Sequence, residues 1–496
     1  MSLSVANVLG ESARLFPDRI AVVEGAARVT YGELWGEALR CAAGLRAAGV
    51  KPGDRVAVLL PNTTEFLRVY YGALAAGATV VPVHALLVAE EVRYVLEHSG
   101  AVAIVSGGPL WPVAEEAAAR ATGVHALQGA PSAAEPLRAP EPAEPSDTAV
   151  ILYTSGTTGR PKGARLTHLN IVLNASVTSQ DLLGLGAEDV VLGCLPLFHS
   201  YGQTCAMNGT LRAGSTLVLM PRFSGPAALE VLATEGVTVF MGVPTMYHAL
   251  VEAAAGSHAR PTGLRAAVSG GAALPVAVLE RFEETFSTQV LEGYGLTETS
   301  PVATFNQPHI GRRPGTVGHP VWGVEIGIAD AAVDDEIRLL AHGEIGEVVV
   351  RGHNVFAGYL DDPEATAAAV VDGWFRTGDL GVRDEDGFLS IVDRKKDLVI
   401  RGGFNIYPRE VEEVLVRHPA VSEVAVIGVP DDAKGEEVCA VVVLRAGAGP
   451  VTAEELVDWS KERLGRHKYP RVVRFVDALP LGPSGKVLKR ALVSAV

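Results

Sequence analysis

Residues 153–163 read Tyr-Thr-Ser-Gly-Thr-Thr-Gly-Arg-Pro-Lys-Gly. Gly156, Gly159 and Gly163 let backbone N–H groups approach an anion. The hydroxyls of Thr154, Ser155, Thr157 and Thr158 can donate to its oxygens, and Lys162 adds a positive charge. The run Ala149-Val-Ile-Leu before it has the pattern of a buried strand, so a strand runs into a phosphate cradle. It is not the GxxxxGK[ST] loop. Counting from Gly156, Pro161 takes the place of the second glycine, and Gly163 stands where a metal-binding hydroxyl belongs. A glycine-rich surface linker is the plain alternative, but linkers seldom join this order to Pro-Lys-Gly after a strand. Three further residues carry chemistry: Glu298 in Gly293-Tyr-Gly-Leu-Thr-Glu, Asp379 in Thr377-Gly-Asp, and Lys486 in Pro483-Ser-Gly-Lys. Alone, each has a bland reading. Glu298 would be a surface turn residue, Asp379 a turn or helix cap, and Lys486 part of a solvated tail with Lys489 and Arg490.

Their order along the chain is more informative. After the first loop come Pro196-Leu-Phe-His-Ser-Tyr-Gly, Gly242-Val-Pro-Thr-Met-Tyr, Ser269-Gly-Gly-Ala-Ala-Leu-Pro, Gly293-Tyr-Gly-Leu-Thr-Glu-Thr and Gly315-Thr-Val-Gly. Trp374-Phe-Arg-Thr-Gly-Asp, Asp393-Arg-Lys-Lys-Asp, Gly402-Gly-Phe-Asn-Ile-Tyr-Pro-Arg-Glu-Val-Glu and Pro483-Ser-Gly-Lys follow. Over nearly the whole length this resembles the adenylate-forming enzymes: acyl-CoA synthetases, peptide-synthetase adenylation domains and luciferases. The wording is closest to bacterial fatty-acid–CoA ligases. The resemblance implies attack of a carboxylate on the α-phosphorus of ATP, giving acyl-AMP and pyrophosphate, then transfer of the acyl group to the thiol of coenzyme A. The first step crowds negative charge, which cations and N–H donors must offset.

The resemblance assigns roles residue by residue. Glu298 holds Mg2+, a hard cation suited to a carboxylate oxygen. Thr297 touches the α-phosphate, Tyr294 stacks on adenine between Gly293 and Gly295, and Gly271, Ala272 and Ala273 line the base. Asp379 accepts the ribose hydroxyls, with Arg394 as a second contact. Lys486 bridges carboxylate and α-phosphate during adenylation. Lys396 is the hinge about which a small domain swings between adenylation and thioester poses. In the second pose Gly402 and Gly403 line a pantetheine tunnel, a helix-capping pair being the alternative. Lys468 and Arg466 meet CoA phosphates or form a solvated helix end. His199 gates the passage between acyl pocket and tunnel, or is a simple loop histidine.

His199, Ser200, Tyr201, Gly202, Met246 and Gly295 border the expected acyl pocket, where small residues would leave space for a chain. Malonate-activating members of the family place an arginine where Gly293 stands. That charge is missing here, so a medium- or long-chain fatty acid is expected, with cinnamate- or benzoate-type acids as the rival. A fatty-acyl-AMP ligase that loads an acyl carrier protein is the other alternative, although no unexplained insertion separates the motifs. A luciferase-like oxygenase would share every nucleotide motif, and a regulator that has lost catalysis would show erosion at residues that are all present.

The elements that must position these groups are legible in outline. At 496 residues the chain exceeds the ~250–300 at which single cores stop growing. Helical stretches alternate with short runs such as Arg55-Val-Ala-Val-Leu-Leu and Thr216-Leu-Val-Leu, indicating α/β layers with mostly parallel strands. Residues 131–146 read as an exposed connection. From Gly343 the pattern becomes strand-like, indicating a small barrel-like sheet. A charged break at Asp393 precedes a βαβ-like tail with a helix at 408–417. The expectation is an N-terminal adenylate-forming domain over 1–393 and a small mobile α+β C-terminal domain over 394–496. A net charge of −15 argues against nucleic acid. Tyr70 to Ala89, the most apolar stretch, is broken by Gly77 and Pro82 and reads as a buried helix–strand unit rather than a membrane span. Cys41, Cys194, Cys205 and Cys439 are far apart, without metal spacing, and suit a reducing cytoplasm. A homodimer is left open.

Overall fold

The computed structural model describes residues 3–154, 161–257, 263–431, 434–445, 447–482 and 487–494. Short β-branched runs form a six-stranded sheet in the order His125–Gln128, Ala103–Ser106, Arg55–Leu59, Thr79–Pro82, Thr148–Thr154, Lys162–Thr167. All its pairings are parallel except the last. That last pair is a hairpin: Thr154 lies opposite Lys162, so both ends of the phosphate-type loop are set by one register. A nine-stranded sheet is built around Val290–Gly295, Ala266–Ser269, Val239–Gly242, Val190–Gly193, Thr216–Leu219 and Ile20–Glu24. Parallel pairing puts the C-terminal ends of these strands on one edge, where Ser269, Gly242 and Glu292 fall in register.

One core joins inner-face residues of both sheets to the helices Tyr31–Ala47 and Thr64–Ala75. Helices Gly225–Thr234, Pro244–Ala255 and Val276–Phe286 cover the outer face of the larger sheet, and Ala89–Ser99 and Trp111–Arg120 that of the smaller. The starts of these helices are written locally. Thr30 and Glu33 make a reciprocal capping box, and Pro stands in the first turn of three of the others. The apolar stretch after Tyr70 is the end of a buried helix, a turn at Gly77 with φ +81°, and the strand Thr79–Pro82. No helix among the described residues is long and apolar enough to cross a membrane.

An antiparallel sheet of Val324–Ala329, Gly346–Gly352, Trp374–Arg383, Val370–Val371 and Leu389–Arg394 completes the larger part. The tail has its own apolar clusters, drawn wholly from Val399 and the residues after it. Two features of it were not expected from the sequence. Val421–Asp431 and Gly435–Leu444 form a long hairpin, and the parallel partner of Gly435–Leu444 is Val472–Phe475, reached through the helix Ala453–Lys461. Residues 131–146 are exposed but tied down. Ala133, Leu137 and Glu141 N–H groups donate to Arg40, Leu39 and Ala75 carbonyls.

Candidate active site

Strand Val290–Gly295 carries the centre of the site. Beyond it a single helical turn, Thr297–Thr299, presents Glu298. Glu298 is 8% exposed, and Oε1 accepts from the Tyr359 hydroxyl at 3.0 Å and from Thr154 Oγ1 at 3.3 Å. Burial raises its pKa against the opposing pull of those hydrogen bonds and of the Arg394 charge. Thr297 Oγ1 lies 3.4 Å from Ser200 Oγ, which joins the Leu-Phe-His-Ser segment to the Glu298 turn. Ser155 to Gly159, five of the expected nucleotide contacts, lie outside the described residues, as does Lys486. The flanks of the loop are described. Thr154 reaches Glu298, and Lys162 sits 3.5 Å from Asp362 and 5.2 Å from the centre of the Tyr359 ring.

The other expected nucleotide residues gather on the same edge. Tyr294 donates its hydroxyl to Asp379 Oδ2 at 2.7 Å, while Arg394 Nε lies 3.2 Å from Oδ1. Both carboxylate oxygens therefore have partners, a phenol hydroxyl on Oδ2 and a guanidinium on Oδ1. Desolvation and the Asp379 charge together push the Tyr294 phenol well above its usual range, so it is a donor. Asp379 is positioned by a group the sequence did not reveal. Buried Glu347 pairs with Arg376 at 2.7 Å and accepts the Gly378 N–H at 3.0 Å, which fixes the Thr377-Gly-Asp turn from below. Gly271 is half-buried with φ +83°, and Ala272 and Ala273 are exposed, so this strip is open to a ligand.

His199, Tyr201, Gly202 and Gly271 line a narrow apolar crevice with Leu195, Pro196 and Val243. Tyr201 donates to the Val268 carbonyl at 3.0 Å, and His199 Nδ1 accepts from the Tyr201 N–H at 3.3 Å. Ser200 is fully buried, and Met246 is half-buried with its sulfur 4.0 Å from Cys194 Sγ. The expectation that small residues leave room for a chain needs correcting at two positions. A Cβ at Gly202 would collide with the Pro196 carbonyl oxygen, and one at Gly295 with that of Pro301. On the Cβ side each of these glycines makes way for backbone, while Gly202 still borders the crevice. At Gly293 a Cβ would come 2.8 Å from the Phe305 ring.

Of the tail residues, Arg394 reaches this edge through Asp379, whereas Gly402, Gly403 and Lys468 are engaged elsewhere. Gly402 and Gly403, with φ +57° and +83°, form the two-residue turn between Val399–Arg401 and Phe404–Ile406. They are exposed, with nothing within 4 Å of an added Cβ, so here they line no tunnel and cap no helix. Lys468 is bound by both oxygens of Glu410 at 2.8 Å, which occupies the ammonium expected to meet CoA phosphates. Lys396 is exposed in the short turn Lys395–Asp397, while its neighbour Lys395 pairs with Asp334 at 3.0 Å.

Residues 9–360 match the AMP-binding enzyme family and residues 410–486 the AMP-binding enzyme C-terminal domain. The chain belongs to the AMP-binding enzymes. It is thereby an adenylate-forming protein of the acid–thiol ligase (AMP-forming) kind. It is 37% identical to a long-chain-fatty-acid–CoA ligase of Bacillus subtilis (strain 168), over 99% of this chain and 94% of that protein. It is 39% identical to a feruloyl-CoA synthase of an Amycolatopsis species, over 96% of each. Its fold superposes on a benzoate CoA ligase from Burkholderia xenovorans LB400 with a TM-score of 0.91, at 31% identity and 99% coverage of both chains.

The residues that sequence reasoning missed are Tyr359, Glu347 and Arg376. Tyr359 stands in Gly358-Tyr-Leu-Asp-Asp-Pro, outside the motifs, and reaches Glu298 only because it pairs with Ala164 across the return strand of the loop. No local pattern announces that approach.

Proposed function

We propose that this chain activates an apolar monocarboxylic acid, a medium- or long-chain fatty acid, to its acyl-adenylate and passes the acyl group to coenzyme A. A carboxylate oxygen attacks the α-phosphorus, the new O–P bond forms and pyrophosphate leaves. The CoA thiolate then adds to the acyl carbon and AMP leaves. Asp379 and Tyr294 hold the ribose and base, Arg394 adds charge beside them, and the 154–162 loop with Lys162 holds the phosphates. Lys486 orients the attacking carboxylate. Among the described residues no cluster of three or more metal-binding side chains exists. One buried carboxylate with polar neighbours nevertheless fits Mg2+, which keeps several waters and takes phosphate oxygens as its other ligands. Glu298 would hold it, and the ion would neutralise charge on the departing pyrophosphate. The domain boundary at 393/394, the hinge at Lys396 and a swing that brings Gly402 and Gly403 over the thiol path belong to the same reading. So do a reducing cytoplasm, for which four buried thiols are apt, and CoA rather than a carrier protein as acceptor.

One observation carries the substrate class. The crevice behind His199 is lined without a cation, and position 293 presents glycine against Phe305. A second carboxylate would be buried unpaired, at a cost of several kcal/mol. The Tyr201 ring is part of the crevice wall and could stack on an aromatic acid, which is the second reading. Pyrophosphate release should be measured over malonate, butyrate, octanoate, palmitate, benzoate and ferulate, each with and without CoA. We expect octanoate or palmitate to exceed malonate in kcat/KM by about 100-fold or more. A malonate preference would contradict the pocket reading. A peak at ferulate or benzoate would replace the fatty-acid reading by the aromatic one.

A further inference from the structure

Tyr359 and Asp362 belong to none of the motifs that carry the adenylate-forming reading, yet they hold two of its residues. The Tyr359 hydroxyl donates to Glu298 Oε1 at 3.0 Å, while its ring lies under the Lys162 ammonium at 5.2 Å. Asp362 Oδ2 is 3.5 Å from that ammonium, and its Oδ1 caps the helix Pro363–Ala369 by accepting from Ala365 N at 2.9 Å. The segment that carries both is fixed at each end. Phe356 N donates to the Glu298 carbonyl at 2.9 Å, Leu360 N to the Gly163 carbonyl at 2.8 Å, and Tyr359 N to Thr366 Oγ1 at 2.9 Å. Phe356 also packs edge-on against Phe375, two residues from Thr377 on the Asp379 strand. One seven-residue stretch thus ties the phosphate-type loop, the Glu298 turn and the Asp379 strand together.

The two contacts act in opposite senses on nucleotide. A hydroxyl that donates to Glu298 Oε1, the oxygen that Thr154 also reaches, fixes the carboxylate's rotation. An aspartate on Lys162 gives that lysine an anionic partner which a phosphate must displace. We propose that Tyr359 is a positioning residue for adenylate formation, orienting Glu298, and that Asp362 holds Lys162 in competition with the nucleotide phosphates. This rests on the reading of Glu298 and Lys162 as metal and phosphate residues. The competition is modest, because Lys162 and Asp362 side chains are 24% and 38% exposed and solvent screens them.

The test uses the full-length protein, a non-hydrolysable ATP analogue measured by calorimetry, and Mn2+ measured by electron paramagnetic resonance. Tyr359→Phe keeps the ring under Lys162 and removes only the hydroxyl. Mn2+ binding in the presence of analogue should weaken about tenfold, as for loss of a hydrogen bond to a charged group, with metal-free analogue binding unchanged. Asp362→Asn keeps the cap through its amide oxygen and removes the charge. Analogue binding should tighten by up to about fivefold, and the gain should vanish in Lys162→Ala/Asp362→Asn. A purely structural role would lower the melting temperature and weaken analogue binding in both variants, overturning the proposal. If Lys162→Ala weakens the analogue but Asp362→Asn brings no gain, the hold is wrong and the phosphate reading survives. If Lys162→Ala changes nothing, the phosphate reading falls and the hold with it.

Discussion

Two carboxylates on one strand and turn, Glu292 and Glu298, show how burial separates roles. Glu298 faces Tyr359 and Thr154, groups that donate and would share it with a cation. Glu298→Gln keeps the shape and deletes the charge. Pyrophosphate release at limiting magnesium should fall about 100-fold, close to 3 kcal/mol of transition-state stabilisation, and an unchanged rate would remove Glu298 from the metal site. Glu292 is 5% exposed, and burial pushes its pKa up to about 7, offset in part by Arg409 and the Gly315 N–H. The sign follows from an acid whose folded pKa lies above its unfolded value of 4.5. The folded state loses stability as pH rises from about 4.5 to 7, by about 3 kcal/mol in all. Glu292→Gln should therefore be more stable than the wild type at pH 8.5 by about that amount and similar to it near pH 4.5, read from denaturant titrations. Parallel curves across this range would contradict the buried, raised Glu292. At this scale the short motifs singled out Thr154, Glu298 and Asp379, and the structure joins Thr154 to Glu298 and Asp379 to Tyr294. The sequence was silent on Tyr359 and Glu347, which reach those residues through sheet pairing and a buried ion pair with Arg376.

Elements explain why glycine recurs at this edge. Gly295 ends its strand against Pro301, and Thr299 Oγ1 accepts the Leu296 N–H just beyond. Gly295→Ala would force main chain apart beside Tyr294 and Thr297, costing roughly 3 kcal/mol by overpacking. It should also raise KM for ATP. Gly256, with φ −96° and open space around it, ends a helix, and Gly256→Ala should change stability by less than about 0.5 kcal/mol. Melting curves of the two variants compare them directly, and equal losses would contradict the packing account of Gly295. The α/β alternation, the parallel order and the buried helix–strand unit at Tyr70 were legible because apolar periodicity and turn residues report local structure. At Gly202 and Gly295 the sequence did not show that backbone fills the Cβ side, because a small residue says nothing about what lies beside it. The turn at Gly402 and Gly403 was likewise hidden, since Phe404–Ile406 is too short to stand out as a strand.

At the scale of the molecule, two apolar bodies meet over a polar seam. Arg409 N donates to Asp393 Oδ2 at 3.0 Å, its guanidinium donates to the Ile391 carbonyl, and Ser422 Oγ lies 3.3 Å from His248 Nε2. A seam of hydrogen bonds and charges can be exchanged for water at little cost, as an alternating domain requires. The charged run at Asp393, where the boundary is expected, lies just before the tail's own apolar clusters, but says nothing of which face the tail presents. In this arrangement the Gly402-Gly403 turn is exposed. The central claim is that one chain runs two half-reactions with different residues of the tail. Single-turnover quench, following acyl-adenylate and thioester separately, tests it most directly. Lys486→Ala should block adenylate formation from acid and ATP while still converting supplied acyl-adenylate to acyl-CoA. Gly403→Asn keeps the left-handed turn that Asn tolerates while adding bulk, so it should form adenylate and pyrophosphate in the first turnover and stall with CoA. Loss of the same half-reaction in both variants would contradict the account, leaving a single fixed site to perform both steps.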